Sequence, residues 1–158
     1  MDKIFNIRQA KIDDLDSIVS FTHAIHLQED DQSIPTHTNF LSNLTTWLTA
    51  ELNNPLSLFL IVEKDKQPVG FIGATTVIND NGFLENPTKG VINLLWVEES
   101  FRRNQLAKKL VTTIENCFLD NSVSVVECSF TKHNQLANDF WCNAGYTIHS
   151  LSARKFIS

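Results

Sequence analysis

One stretch constrains this chain more than any other: "VINLLWVEESFRRNQLAKKLVTTIENCF", in which an apolar run of strand character passes within a few residues into an amphipathic helix. Residues 91–97 are of the types that suit a pleated, buried surface. From Leu106 onward, Leu106, Ala107, Leu110, Val111, Ile114, Cys117 and Phe118 recur at the spacing that turns one helical face toward a core. The connection between them carries Arg102, Arg103, Lys108 and Lys109. A strand feeding a helix through so short a link commits the chain to layered α/β packing. The first N–H groups of such a helix have no partners inside it, so with the helix dipole they favour an anion, which flanking arginines bind further. A solvated basic face is the plainer reading of the same residues.

The rest of the chain alternates between the same two periods. "KIFNIRQA" reads as a strand, and Leu15, Ile18, Val19, Thr22, Ile25 and His26 predict a first helix capped by Asp13. After the polar "EDDQSIPTHT", Phe40, Leu41, Leu44, Trp47, Leu48 and Leu52 predict a second helix stopped by "NNP". "SLFLIVE" and "VGFIGATTVI", separated by "EKDKQP", predict a hairpin of central strands. "VSVVECSF" reads as a buried strand. "NQLANDFWCNAGYTIHS" reads as a helix with Leu136, Ala137, Phe140, Trp141 and Ala144 inward, ended by Gly145 and followed by a last strand. The expected order is βααβββαβαβ, with no internal repeat, and residues 1–158 are expected to form a single domain.

Composition narrows the class. With 158 residues, 42% hydrophobic and 20% charged, the chain can bury a core without disulfides and is neither disordered nor membrane-spanning in character. The N-terminus breaks into charge before any signal-like apolar run, so the expected location is the cytoplasm. Cys117, Cys128 and Cys142 are scattered, with no metal-binding spacing, and read as packing residues; no metal is expected. A formal charge of −5 and a pI near 5.4 leave no broad basic footprint for nucleic acid and suit a cationic small partner better.

The central stretch resembles the signature of the GCN5-related N-acetyltransferase (GNAT) family, a strand ending in an apolar pair and Val followed by Arg/Gln-x-x-Gly-x-Gly/Ala at a helix start. Arg102 takes the first position, Arg103 and Asn104 the next two, and Ala107 the final small one. A second pattern, Asn-x-x-Ala-x-x-aromatic with a later Gly-aromatic pair, is similar at Asn134, Ala137, Phe140, Gly145 and Tyr146. Two patterns in the right order are far more specific than one. The resemblance implies an α/β fold with a mixed, splayed central sheet and helices on both faces. It also implies acetyl-CoA as cosubstrate, with its pantetheine along Leu95, Trp96 and Val97 and its pyrophosphate on the turn Arg102, Arg103, Asn104, Gln105, Leu106, Ala107 and Lys108, assisted by Asn134. A homodimer is compatible with the family.

Three positions depart from the family pattern. Gln105 stands where glycine is usual, Asn93 where a glutamate often acts as base, and Trp141 where a tyrosine is thought to protonate the leaving thiolate; Trp141 would in any case border the cofactor. Asparagine cannot take up a proton, and an indole N–H is a poor acid. A base must then come from elsewhere, and His26, Glu29, Asp30 and Asp31 at the end of the first helix and Glu85 before the central strand are the candidates. Each also has an ordinary reading: His26 as a packing residue, the acidic run as a solvated loop. The expected function is direct acetyl transfer from acetyl-CoA to an amine of a small molecule or protein. The alternative is a CoA-binding or regulatory module with weak or no turnover.

Overall fold

The structure, a computed structural model, describes residues 4–29 and 33–157. Its strands β1 (Phe5–Gln9), β2 (Ser57–Lys64), β3 (Gln67–Ile78), β4 (Thr88–Val97) and β5 (Val126–Cys128) form one sheet in the order β1-β2-β3-β4-β5. The first four run antiparallel to their neighbours, and β5 lies parallel to β4. Between β1 and β2 come α1 (Leu15–Glu29) and α2 (Phe40–Leu52); α3 (Leu106–Asp120) joins β4 to β5, and α4 (Gln135–Asn143) follows β5.

The expected hairpin is β2–β3. Its two-residue turn, Asp65 and Lys66, has positive φ at both positions (51° and 64°), the geometry whose twist matches that of paired strands. Alternation along the strands then sorts the core into two layers. Phe59, Ile61, Phe71 and Leu94 face α1 and α2, where they meet Ile18, Phe21, Leu44 and Leu48. Leu60, Val62, Ile72, Ala74, Ile92 and Val97 face α3 and α4, where they meet Leu106, Leu110, Val111, Ile114, Phe118 and Trp141. Helices therefore cover both faces of a mixed sheet, as expected, and each large buried side chain contributes about 2 kcal/mol by leaving water.

Two irregularities shape β4. Gly73 pairs with Leu94 but Ala74 pairs with Ile92, so Asn93 is an extra residue bulged out of the ladder. On the other side, β5 pairs only with Gly90, Val91 and Ile92, so from Asn93 to Val97 the strand parts from β5 and the sheet splays open. Backbone groups of β4 on that side are left facing the opening. At the pairing itself, a Cβ on Gly90 would lie 2.5 Å from the Phe118 ring, so glycine there lets α3 close on the sheet.

Several expectations are corrected. The strand read from "VSVVECSF" shrinks to three residues, with Val125 exposed. No strand follows α4 among the described residues. The apolar alternation breaks there, Tyr146 and Ile148 falling on one parity and Leu151 and Ala153 on the other, so no register would bury both sets. Leu136 is 73% exposed rather than inward. The first helix is not capped by Asp13. A 3₁₀ turn at Ile12–Asp14 precedes α1, and the Asp14 carboxylate accepts the Lys11 N–H at 2.8 Å and N–H groups of both terminal guanidinium nitrogens of Arg8. The predicted end of α4 holds: Gly145 (φ 94°) follows it, with Tyr146 N–H bonded to Trp141 O and Gly145 N–H to Cys142 O.

Candidate functional site

The start of α3 is built by the turn that follows β4. Arg102 is exposed at this turn and is also held by two local contacts. Its Nε donates to the Val97 carbonyl at 2.9 Å and its guanidinium lies over the Trp96 ring at 4.8 Å, which fastens the turn to the end of the strand. Asn104 performs a similar local task, its amide nitrogen donating to Phe101 O at 2.8 Å. Arg103 and Gln105 both have positive φ (67° and 56°), and Gln105 is the residue before the first helical position. The first bond within the helix runs from Lys109 N–H to Gln105 O. The N–H groups of Leu106, Ala107 and Lys108 thus open on the turn without helical acceptors.

These amides border an open pocket of about 340 Å³. Val97, Arg102, Arg103, Gln105, Leu106, Ala107 and Lys108 form one wall and Phe140, Asn143 and Ala144 of α4 the other. The Arg103 guanidinium and the Lys108 ammonium have no hydrogen-bond or ion-pair partner among the described residues. The lining is apolar in its depth and cationic at its mouth, which suits a ligand with an anionic head and an uncharged arm. The α4 wall was missed in the sequence. Helical spacing could have found it, because Phe140, Asn143 and Ala144 share a face by the i, i+3, i+4 rule while Trp141 turns a hundred degrees away.

Trp141 is 6% exposed, edge-on to Phe140 and Tyr146, and sits in the core under α3; it lines neither this pocket nor the next. Trp141 thus packs in the core, apart from both pockets. Tyr146 donates its hydroxyl to Glu115 at 2.8 Å, and burial together with that carboxylate pushes its pKa up, away from acid duty near neutrality. Burial likewise pushes the Cys128 thiol up to about 11, which keeps it protonated and inert. Leu95 packs into the α3 layer, and Trp96 into the α1 layer with its Nε1 buried and unbonded among the described residues.

Asn134 sits at the cap of α4. Its Oδ1 accepts the Ala137 N–H at 3.0 Å, while its Nδ2 donates to Glu29, whose other oxygen accepts the Thr131 N–H. Glu29 therefore ties the end of α1 to the start of α4 across the open side of the sheet. His26 stacks on Phe40 with centroids 4.2 Å apart and holds its Nε2 3.1 Å from Thr36 Oγ1. It lines a second open pocket of about 400 Å³ with His23, Thr38, Asn39 and Ser42. Glu85 is exposed in the loop before β4 and borders neither pocket. Asp30 and Asp31 lie outside the described residues.

Asn93 is exposed at the bulge, with its Nδ2 donating to Thr75 Oγ1 at 3.1 Å. The pocket beside the α3 turn and the splayed strand thus come together, whereas His26 and Glu85 stand apart from that pocket.

This geometry agrees with what the chain resembles. Residues 21–146 match the family model described as "Acetyltransferase (GNAT) family", and the chain belongs to that family. A predicted acetyltransferase from Clostridium acetobutylicum, solved with acetyl-CoA, shares the fold at a TM-score of 0.80 and 18% identity, covering 97% of this chain and 96% of that one. A GCN5-related N-acetyltransferase from Ralstonia eutropha JMP134 superposes at 0.79 with 16% identity over 97% and 99%. The aminoglycoside antibiotic 6'-N-acetyltransferase AAC(6')-IG from Acinetobacter haemolyticus does so at 0.75 with 15% identity over 97% and 99%. No curated protein matches the sequence.

Proposed function

We propose that the chain is an acetyl-CoA-dependent N-acetyltransferase acting on an amine by direct transfer. The observation that carries this reading is the pocket between the α3 turn and α4, bordered by the amides of Leu106, Ala107 and Lys108, which lack helical acceptors, and by the cations of Arg103 and Lys108, which have no partner among the described residues. In this reading those groups hold the pyrophosphate of acetyl-CoA. The arm lies along Val97 and Leu95, and backbone N–H groups on the open side of β4 steady negative charge on the acetyl oxygen during transfer. When bound, acetyl-CoA supplies the activated acyl group; the protein's task is to fix it beside a neutral amine, and such positioning alone supplies much of a rate enhancement. The low pI and the aminoglycoside-modifying enzyme among the similar structures favour a cationic small amine as acceptor.

A second reading, a CoA-binding module with little turnover, is favoured by Gln105 in a left-handed conformation and by Asn93 and Trp141 in place of acid and base. Calorimetric titration with acetyl-CoA separates binding from chemistry. We expect micromolar binding that Arg103→Glu weakens at least ~10-fold, a change of about 1.4 kcal/mol, followed by thiol release when spermidine or kanamycin is added. Absence of binding to the unmodified chain sinks both readings, and binding without thiol release for any amine in a broad panel leaves only the second.

A further inference from the structure

Four side chains from four elements form one continuous hydrogen-bonded row on the α1/α2 face of the sheet. Asn93 Nδ2 at the β4 bulge donates to Thr75 Oγ1 on β3 at 3.1 Å; Thr75 Oγ1 lies 3.2 Å from Ser57 Oγ on β2; Ser57 Oγ lies 2.5 Å from Glu51 Oε2 near the end of α2. Ser57 and Thr75 are directly opposed in the β2–β3 ladder, which is why their hydroxyls meet. The direction of the row follows from counting hydrogens. An ionised carboxylate has none, so Ser57 must donate to Glu51. Its single proton is then committed, so Thr75 must donate to Ser57. Thr75 in turn accepts from Asn93, leaving one lone pair of its oxygen open. Every hydroxyl thus points the same way, from the bulge toward a carboxylate that is itself only half buried.

We propose that Thr75 takes the proton of the attacking amine and that Ser57 and Glu51 carry it onward, so that the base missing at Asn93 is supplied by a carboxylate two hydroxyls away. The inference rests on the acetyltransferase reading above. The amine nitrogen forms its bond to the acetyl carbonyl carbon while the carbon–sulfur bond breaks and its electron pair leaves on sulfur. The nitrogen proton passes to Thr75 Oγ1, the Thr75 hydroxyl proton to Ser57 Oγ, and the Ser57 proton to the Glu51 carboxylate. Solvent then takes that proton from Glu51 and returns one to the sulfur, so the sum is amide plus thiol. Asn93 positions the row from its near end, and its Oδ1 is left to accept a second N–H of the acceptor. Glu51 can act only through the two hydroxyls, so it is a relay residue rather than one that touches substrate.

The test compares Thr75→Val, Thr75→Ser, Ser57→Ala and Glu51→Gln with the unmodified protein. Each is titrated calorimetrically with acetyl-CoA, melted, and assayed for thiol release against a panel containing spermidine, kanamycin and a lysine peptide. Expected are unchanged acetyl-CoA affinity and KM, a kcat lower by ~10²-fold for Thr75→Val, Ser57→Ala and Glu51→Gln, and near-normal kcat for Thr75→Ser, which keeps the hydroxyl. Normal kcat in Glu51→Gln, with the unmodified protein active, overturns the relay and leaves the acetyltransferase standing. So does a loss in Thr75→Val that Thr75→Ser fails to restore, or one explained by a fall in acetyl-CoA affinity. An unmodified protein that binds acetyl-CoA but acetylates nothing in the panel overturns the transferase reading and the relay with it.

Discussion

Gln105 is the residue at which family pattern and local physics disagree most openly. It occupies a left-handed conformation (φ 56°, ψ 24°) that glycine adopts freely and other residues enter at about 1–2 kcal/mol. We expect Gln105→Gly to stabilise the fold by roughly 0.5–1 kcal/mol once glycine's entropy cost is set against that relief. It should also tighten acetyl-CoA binding, since a side chain leaves the mouth of the pocket. Thermal melts and calorimetry on the one variant check both, and an unchanged or lower melting temperature would show that the turn is held without strain. The substitution itself was legible in the sequence, because a motif position either is glycine or is not. What the sequence could not disclose is the division of labour between neighbouring arginines. Arg102 and Arg103 are chemically identical and both line the pocket, but Arg102 is held by Trp96 and the Val97 carbonyl, while Arg103, at positive φ, has no hydrogen-bond or ion-pair partner among the described residues.

Elements were read well where one period governed them and poorly where tertiary partners decided. The residues marking the buried face of α3 include Leu106, Leu110, Val111, Ile114 and Phe118, all of which are buried. The inward face of α4 was misread by the width of one side chain, since Leu136 faces water while the stripe through Phe140 and Ala144 faces the pocket. The polar row from Glu51 to Asn93 was invisible in the sequence, because it depends on cross-strand register between β2 and β3 that no local pattern encodes. The same holds for the ion pairs that lock β1 to the start of α1. Arg8 bonds Asp14 through both terminal nitrogens and Glu63 through Nε. The Arg8 guanidinium holds the Asp14 carboxyl below the usual carboxylate range, and the Asn6 amide followed by Arg8 does the same to Glu63. Both groups ionise at lower pH folded than unfolded, so the stability they add is present above about pH 4 and is lost as pH falls through their depressed values. Melting temperature should therefore decline below about pH 4, and Arg8→Met should flatten that decline while lowering the plateau above it. A decline of the same slope in Arg8→Met would assign acid lability to other carboxylates.

For the whole molecule, stability is unevenly spread. The middles of β2 (59–62) and β3 (69–74) are buried on both faces, whereas β5 is three residues long and the chain from Tyr146 to Ile157 has no ladder partner among the described residues. Opening free energies should follow that division. Hydrogen exchange read by mass spectrometry should find the amides of β2 and β3 protected to the global limit and those beyond Tyr146 exchanging almost as in a free peptide. Strong protection beyond Tyr146 would mean that a second chain supplies the missing strand. The general plan, two helical layers on a mixed sheet opened at one side, was legible from the alternation of periods 2 and 3.6. The width of the opening was not, because it depends on where β5 stops. That opening is bounded by two fixed marks. The turn that starts α3 is bolted to β4 at Val97 by Arg102, and the bulge that breaks the ladder lies at Asn93, about 13 Å back along the strand. A ligand gripped at one mark presents its reactive end at the other only if its arm has the matching length. The strand is then a ruler, and under the acetyltransferase reading proposed above the acyl donor is selected by measurement as well as by charge.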